Sequence, residues 1–189
     1  MACLPEYAEL HCLSNFSFLR GASHPEELAA RAAALGYAAL ALTDECSLAG
    51  IVRAHVAAKA AKLKLIAGAE FGFEDGLKLV LLAPDRRAYG ALASLITTGR
   101  RRAKKGTYSL ARKDLEAHLD AGLLALWIPA EKSGSDLDFE KRSLGDALWV
   151  RERFPDGSWL AAELHCGSND SGKLRKLEEI SKHSGLPLV

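Results

Sequence analysis

The sequence predicts an α/β domain of about seven strands, ordered in a way that suits a closed (βα) barrel better than an open sheet. Three observations carry that prediction. Apolar runs of strand length alternate with runs of helical periodicity along the whole chain, as in successive βαβ units around a parallel sheet. Polar residues able to do chemistry, His11, Asp44 and Glu70, stand at the ends of three successive strand-like runs. No linker, short-period repeat or low-complexity segment splits the 189 residues, and an apolar content of 49% is enough to fill one core.

The first strand is expected over residues 7–12, followed by a loop dense in small polar groups. Ser23, His24, Pro25 and Glu26 have the pattern of a capped helix start with Pro in the first turn. That helix runs to about Leu35, and Gly36 ends it. Residues 38–42 form a compact apolar run suited to a strand buried on both faces. Ser47 is a plausible cap for a second helix in which Leu48, Ile51, Val52, His55 and Val56 recur at helical spacing, a stripe that would bury His55. A third strand covers 64–69 and ends at Glu70. Strand 77–83, helix 85–102 and a short helix 112–118 follow. The apolar run 122–128 is the next strand, 137–153 is helical, and Pro155, Asp156 and Gly157 make a turn. Residues 158–164 read as a strand and 170–183 as a helix closed by Gly185. Residues 186–189 open one more strand, so a fragment of a longer protein is expected.

The formal charge of +1 offers no global reason to bind nucleic acid, so such a role must rest on a local cluster. Cys3, Cys12, Cys46 and Cys166 lie far apart with no Cys-x-x-Cys pair, which points to reduced thiols rather than a zinc ribbon or disulfide framework. No apolar stretch has membrane-spanning length, and a cytoplasmic protein is expected.

In a barrel, strand C-terminal ends share one rim, where His11, Asp44, Glu70 and Glu163 would converge. His11, Asp44 and Glu70 are a donor set able to hold a divalent transition metal. The same residues equally suit a turn cap (Asp44), a solvated loop carboxylate (Glu70) and a hydrogen-bonded rim histidine (His11). Asp44, Glu45 and Glu70 also allow paired-carboxylate acid/base chemistry. Cys46 lacks an electropositive neighbour to activate it, Cys12 and Cys166 read as small core or rim residues, and His165 shares a strand face with Glu163. Arg100, Arg101, Arg102, Lys104 and Lys105, with Arg86 and Arg87 at the start of the same helix, form a basic cluster. Such a cluster either neutralises phosphates or complements the helix dipole as a solvated face.

The stretches ELHCLSNFSFLRGASHPEEL, ALALTDECSLAGIVRAHVAAK and LIAGAEF, from Glu9, Ala39 and Leu65, closely resemble the N-terminal PHP (polymerase and histidinol phosphatase) domain of bacterial error-prone DNA polymerases, relatives of the replicative polymerase III alpha subunit in the C family. The resemblance continues to the final GLPLV. It implies a distorted seven-stranded barrel of PHP type, here truncated at its last strand. Metal-binding members carry His-x-His, Asp-Gly, Thr-Asp-His and Gly-x-Glu motifs. The matching positions here are His11 with Leu13, Arg20 with Gly21, Thr43-Asp44-Glu45 and Gly68-Ala69-Glu70, and Lys78 falls near where another histidine is often found. Leu13 has no donor atom, and Arg20 brings a positive charge toward any cation. The resemblance therefore implies a vestigial metal site at His11, Asp44 and Glu70, with no catalytic residues and no cofactor in this segment. Magnesium would serve the palm domain of the parent polymerase. Implied partners are the other polymerase domains, DNA through the parent, and proteins of a mutagenesis complex. The alternative is a metal-dependent phosphoesterase acting through His11, Asp44 and Glu70 with His165 or Glu45 as a further donor.

Overall fold

The computed structural model describes residues 6–129 and 136–189, with side chains from residue 141 onward in the helix that begins at Asp136. The elements are β1 (Ala8–Cys12), α1 (Pro25–Ala34), β2 (Ala39–Leu42), α2 (Ile51–Ala60), β3 (Lys64–Gly72), β4 (Lys78–Ala83), α3 (Arg86–Arg102), α4 (Arg112–Glu116), β5 (Leu124–Trp127), α5 (Asp136–Arg153), β6 (Ser158–Leu160) and α6 (Asp170–Ser184). The six strands lie in sequence order in one sheet. That sheet curls into a half-barrel with helices packed on its outer face.

The expected parallel sheet is only partly present. β1, β2 and β3 are parallel and so are β5 and β6, but β4 runs antiparallel to both of its neighbours. The reason is the short connection over residues 73–77, since a parallel return needs a crossover of a dozen or more residues. Instead the backbone turns on itself: Phe73 N–H donates to Leu77 O at 2.8 Å, and Gly76 takes φ +89°. Because β4 alone is reversed, its first residue, Lys78, lies at the same rim as the C-terminal ends of the other strands.

The seventh strand is reduced to a single bridge between Leu160 and Leu188. β6 ends at Leu160 rather than near 164, because its neighbour β5 stops at Trp127 and Pro129, which has no N–H, cannot extend the ladder. Two other expectations are corrected at α2. Its N-cap is Gly50 rather than Ser47, whose Oγ accepts from Ala49 N–H. Its buried face is Ile51, Ala54 and Ala58, so Val52 and Val56 are exposed and His55 points to solvent. Small residues let α1 and α2 pack closely through Ala29, Ala32 and Ala58, which selects the alanine face over the valine stripe.

The largest core lies on the outer face, where Phe71, Leu79, Leu81, Trp127 and Leu160 meet Leu92 and Leu95 of α3, Val150 of α5 and Leu177 of α6. Asp85 caps α3 by accepting from Ala88 N–H at 2.8 Å, as its position just before the helix suggests. The inner face is apolar at one end, through Leu10, Ala41, Ile66, Val80, Leu82 and Leu126, and charged at the other. β1 carries one extra residue between Glu9 and Cys12 relative to β2. This bulge lets consecutive residues share the inner side, with Leu10 in the apolar cluster and His11 in the charged rim.

Candidate functional site

The charged rim is built around Glu70, which is 2% exposed. β3 runs past the expected end at Ala69, so Glu70 sits within the hairpin, paired in register with Val80. The Arg20 guanidinium engages it twice, through Nη1 to Oε1 and through Nη2 to Oε2, the latter at 2.9 Å. Lys78 Nζ lies 3.0 Å from Oε2, and His11 Nε2 is 2.8 Å from the same oxygen. On its other side His11 Nδ1 bonds Glu163. Arg20 also reaches Glu45 at 2.9 Å, and Glu45 accepts from the Tyr108 hydroxyl at 3.1 Å. Tyr108 in turn accepts from Gly72 N–H. Three carboxylates, Glu45, Glu70 and Glu163, thus face three cationic groups, Arg20, Lys78 and His11.

His11 is held as an imidazolium. Both ring nitrogens face carboxylate oxygens, which only accept, so both nitrogens donate. Burial works to lower its pKa, and the hydrogen bonds to Glu163 and Glu70 overcome this, leaving it pushed up to about 9. For Glu70, burial acts to raise the pKa, and the bonds from His11, Arg20 and Lys78 more than reverse it, so the carboxyl is held far below its ordinary range. Glu163 is lowered chiefly by its bond to His11. The pH dependence follows with opposite signs on the two sides. The His11 contribution to stability is complete below its ordinary 6.5 and is lost as pH rises through about 9. The Glu70 and Glu163 contributions are complete above their ordinary 4.5 and are lost as pH falls below it. Urea midpoints should therefore peak between about pH 5 and 6, and His11→Ala should flatten the alkaline limb and also weaken the acid limb, since the lowering of Glu163 rests chiefly on His11.

Asp44 does not join this network. It is 1% exposed and turns toward the loop after β1. Its Oδ1 accepts from Ser14 N–H at 2.8 Å and Ser17 Oγ at 2.7 Å, and its Oδ2 accepts from Ser14 Oγ at 2.7 Å. Ser17 Oγ also accepts from Glu45 N–H at 2.9 Å. Asp44 is thus the clamp that pins residues 14–17 to the end of β2. Ser14, Ser17 and Tyr108 were not singled out from the sequence; the density of small hydroxyls after His11 signalled the first two, and nothing signalled Tyr108.

The other expected positions divide clearly. His165 is exposed and lies outside any strand, because β6 has already ended. Cys46 does have an electropositive neighbour, since Arg100 donates to its carbonyl, yet burial dominates and pushes the thiol up to about 11. Cys12, Cys46 and Cys166 are unpaired thiols, and Cys3 lies outside the described residues. In the basic cluster Arg100 is committed to the carbonyls of Glu45 and Cys46 and lies over the Tyr108 ring. Arg102 pairs with Asp114 at 2.6 Å. Arg101, Lys104 and Lys105 are exposed and make no ion pair with the described residues.

A curled sheet with helices outside and a titratable rim at the strand ends defines a class, and the family comparison agrees with it. The PHP domain profile matches residues 9–141, so the chain belongs to the PHP domain family. Proteins similar to it include error-prone DNA polymerases. It is 58% identical to the one from Dechloromonas aromatica over 98% of this chain and 18% of that protein. It is 55% identical to the one from Pseudomonas aeruginosa over 97% of this chain and 17% of that protein. The chain therefore spans less than a fifth of the length of these relatives. Among solved structures the fold is similar to a proposed metal-dependent phosphoesterase from Bifidobacterium adolescentis, with a TM-score of 0.63 at 16% identity over 97% of this chain and 85% of that one. It is also similar to an amidohydrolase from Chromobacterium violaceum holding sulfate and no metal, with a TM-score of 0.64 at 17% identity over 96% and 84%.

Proposed function

We propose that this chain is the PHP segment of an error-prone, lesion-tolerant DNA polymerase of damage-induced mutagenesis, and that within it the segment is a non-catalytic platform with a vestigial metal site. The observation that carries the second half is the occupation of Glu70 by protein cations. A divalent ion brought to Glu70 would meet the Arg20 guanidinium and the Lys78 ammonium at hydrogen-bond distance from the same oxygens. His11, protonated on both nitrogens, offers no lone pair, and Asp44 spends both oxygens on the loop. Of the three expected ligands, His11 and Glu70 meet and Asp44 stands apart. The residues present do not fit a metal ion.

The platform reading places the segment in the cytoplasm against the other polymerase domains, with DNA and mutagenesis-complex proteins reached through the parent and magnesium held at a palm outside this chain. No helix among the described residues is long and apolar enough to cross a membrane. The test is metal analysis and phosphodiesterase assay of the purified polymerase with manganese, zinc or magnesium. Hydrolysis at background level, unchanged in His11→Ala, is expected. Chelator-sensitive turnover abolished in His11→Ala would favour the phosphoesterase reading, which draws on the convergence of His11, Glu70 and Glu163 and on the fold it shares with the Bifidobacterium protein.

The end of α3 is a second surface of this platform. With Arg100 and Arg102 used internally, we infer that Arg101, Lys104 and Lys105 are the groups available to phosphates. Replacing all three with alanine is expected to weaken single-stranded DNA binding by the polymerase and to reduce the slope of log affinity against log salt by roughly two, at about 0.7 per phosphate contact. An unchanged slope would remove the cluster from the DNA contact.

A further inference from the structure

The loop between β1 and α1 ends in a feature that neither the charged rim nor the core uses. Phe18 is 84% exposed and Leu19 88%, with Phe16 beside them at 39%. Large apolar side chains this exposed ordinarily sit on mobile tips, whereas this loop is anchored at every turn. Asp44 holds Ser14 and Ser17, Arg20 is tied to Glu45 and Glu70, and Arg20 N–H and Gly21 N–H both donate to Ser17 O at 3.0 Å. Gly21 approaches the Ser14 carbonyl so closely that a Cβ there would lie 2.0 Å from its oxygen. Leu19 itself takes φ +61°, in the left-handed region that disfavours a leucine. At 88% exposure its side chain joins none of the apolar clusters among the described residues, and strain maintained without internal benefit points outward.

We propose that Phe18 and Leu19 form a preorganised apolar knob by which this domain docks into an apolar pocket on the part of its own polymerase chain that lies beyond residue 189. This rests on the platform reading above and names the contact through which it operates. The size of the knob selects the occupant. Two or three side chains fall well short of the area a stable complex between separate proteins needs, on the order of 800 Å² from each partner. A tethered partner needs far less, because the effective concentration of a linked surface reaches the millimolar range. The relatives supply that tether, since this chain matches only 17–18% of their length. Charge argues in the same direction: the rim behind the knob has its carboxylates matched by cations, leaving no excess of positive groups to draw a phosphate backbone there.

The experiment uses the full-length polymerase with a photoreactive benzoyl-phenylalanine at position 18 and, as control, at Leu35, which is 50% exposed on the far end of α1. Irradiation of the monomeric enzyme is expected to join position 18, and not position 35, to a peptide beyond residue 189 of the same chain. Crosslinks only within residues 1–189, to a second chain or to added DNA, or a yield no higher than at position 35, would overturn the proposal. Leu19→Gly supplies the second arm. Glycine accepts the left-handed backbone, so the unfolding temperature is expected to hold or rise while the crosslink from position 18 falls several-fold; an unchanged yield removes Leu19 from the contact. Limited proteolysis followed by gel filtration separates the two levels. If the N-terminal segment stays with the remainder after cleavage while position 18 gives no crosslink, the platform stands and the knob is wrong. If the segment elutes alone, both fall.

Discussion

Glu70→Ala is expected to destabilise the domain by roughly 3–5 kcal/mol, the cost typical of removing one partner from a buried ion pair. Glu70 is the anion on which Arg20, Lys78 and His11 all converge, and its loss leaves these cations partly desolvated and facing one another. Urea unfolding at pH 7 measures it. The sign of the effect carries more information than its size. In a metal site read without its metal, carboxylates repel, and deleting one relieves strain; a neutral or stabilising result would therefore argue for a ligand cluster. A destabilising one means that Glu70 is the counter-ion of protein cations. A cycle with Arg20→Met isolates the pair, with a coupling energy expected within the 0.5–3 kcal/mol range of residues sharing one network.

The second large effect is expected at Asp44. Asp44→Ala removes the acceptor of three hydrogen bonds at 2.7–2.8 Å in a site that is 1% exposed. Bonds to a charged group contribute about 1.5–3 kcal/mol each and are not additive, so a loss of about 3–5 kcal/mol is expected. Ser14 N–H and the O–H donors of Ser14 and Ser17 would lose their acceptor, and the loop would open. Arg20 lies within that loop and makes tryptic cleavage the direct readout: cutting after Arg20 should accelerate sharply in Asp44→Ala and less in Asp44→Asn, which keeps one acceptor oxygen. Cleavage unchanged in both variants would show that Asp44 does not clamp the loop.

Most elements could be read from the sequence because their signals are local. Gly185 after α6 and Pro25 at the start of α1 act on backbone groups within a turn of themselves, and each appears where expected, while Asp85, read as the first residue of its helix, is the cap just before it. The errors arose where a local signal admits two tertiary outcomes. Val52 and Val56 have helical spacing, yet the face that packs is the alanine face opposite them, because closeness to α1 decided it. The run from 77 to 83 is a strand in either direction, and only the five-residue connection before it makes β4 antiparallel. At the expected seventh strand, residues 187–189 do run beside β6, with Leu160 N–H donating to Pro187 O, Val189 N–H to Leu160 O and Ala162 N–H to Val189 O at 2.7–2.9 Å, and the described residues form one bridge there, Leu160 with Leu188.

The rim divides in the same way. By itself the sequence determined which donor and charged residues this chain carries at its strand ends, that Leu13 and Arg20 stand where ligand-type residues are usual in the family, and that the chain resembles the PHP domains of error-prone polymerases. It could not determine what each group faces. Whether Glu70 meets a metal or an ammonium depends on Lys78 being delivered by a reversed strand. Whether Asp44 points into the rim or toward Ser14 and Ser17 depends on the path of a loop. His11 reaches the rim only through a one-residue bulge. Those are long-range placements, set by which surfaces of the sheet and helices bury best, and electrostatic partners at three-ångström range are a consequence that only the tertiary structure decides.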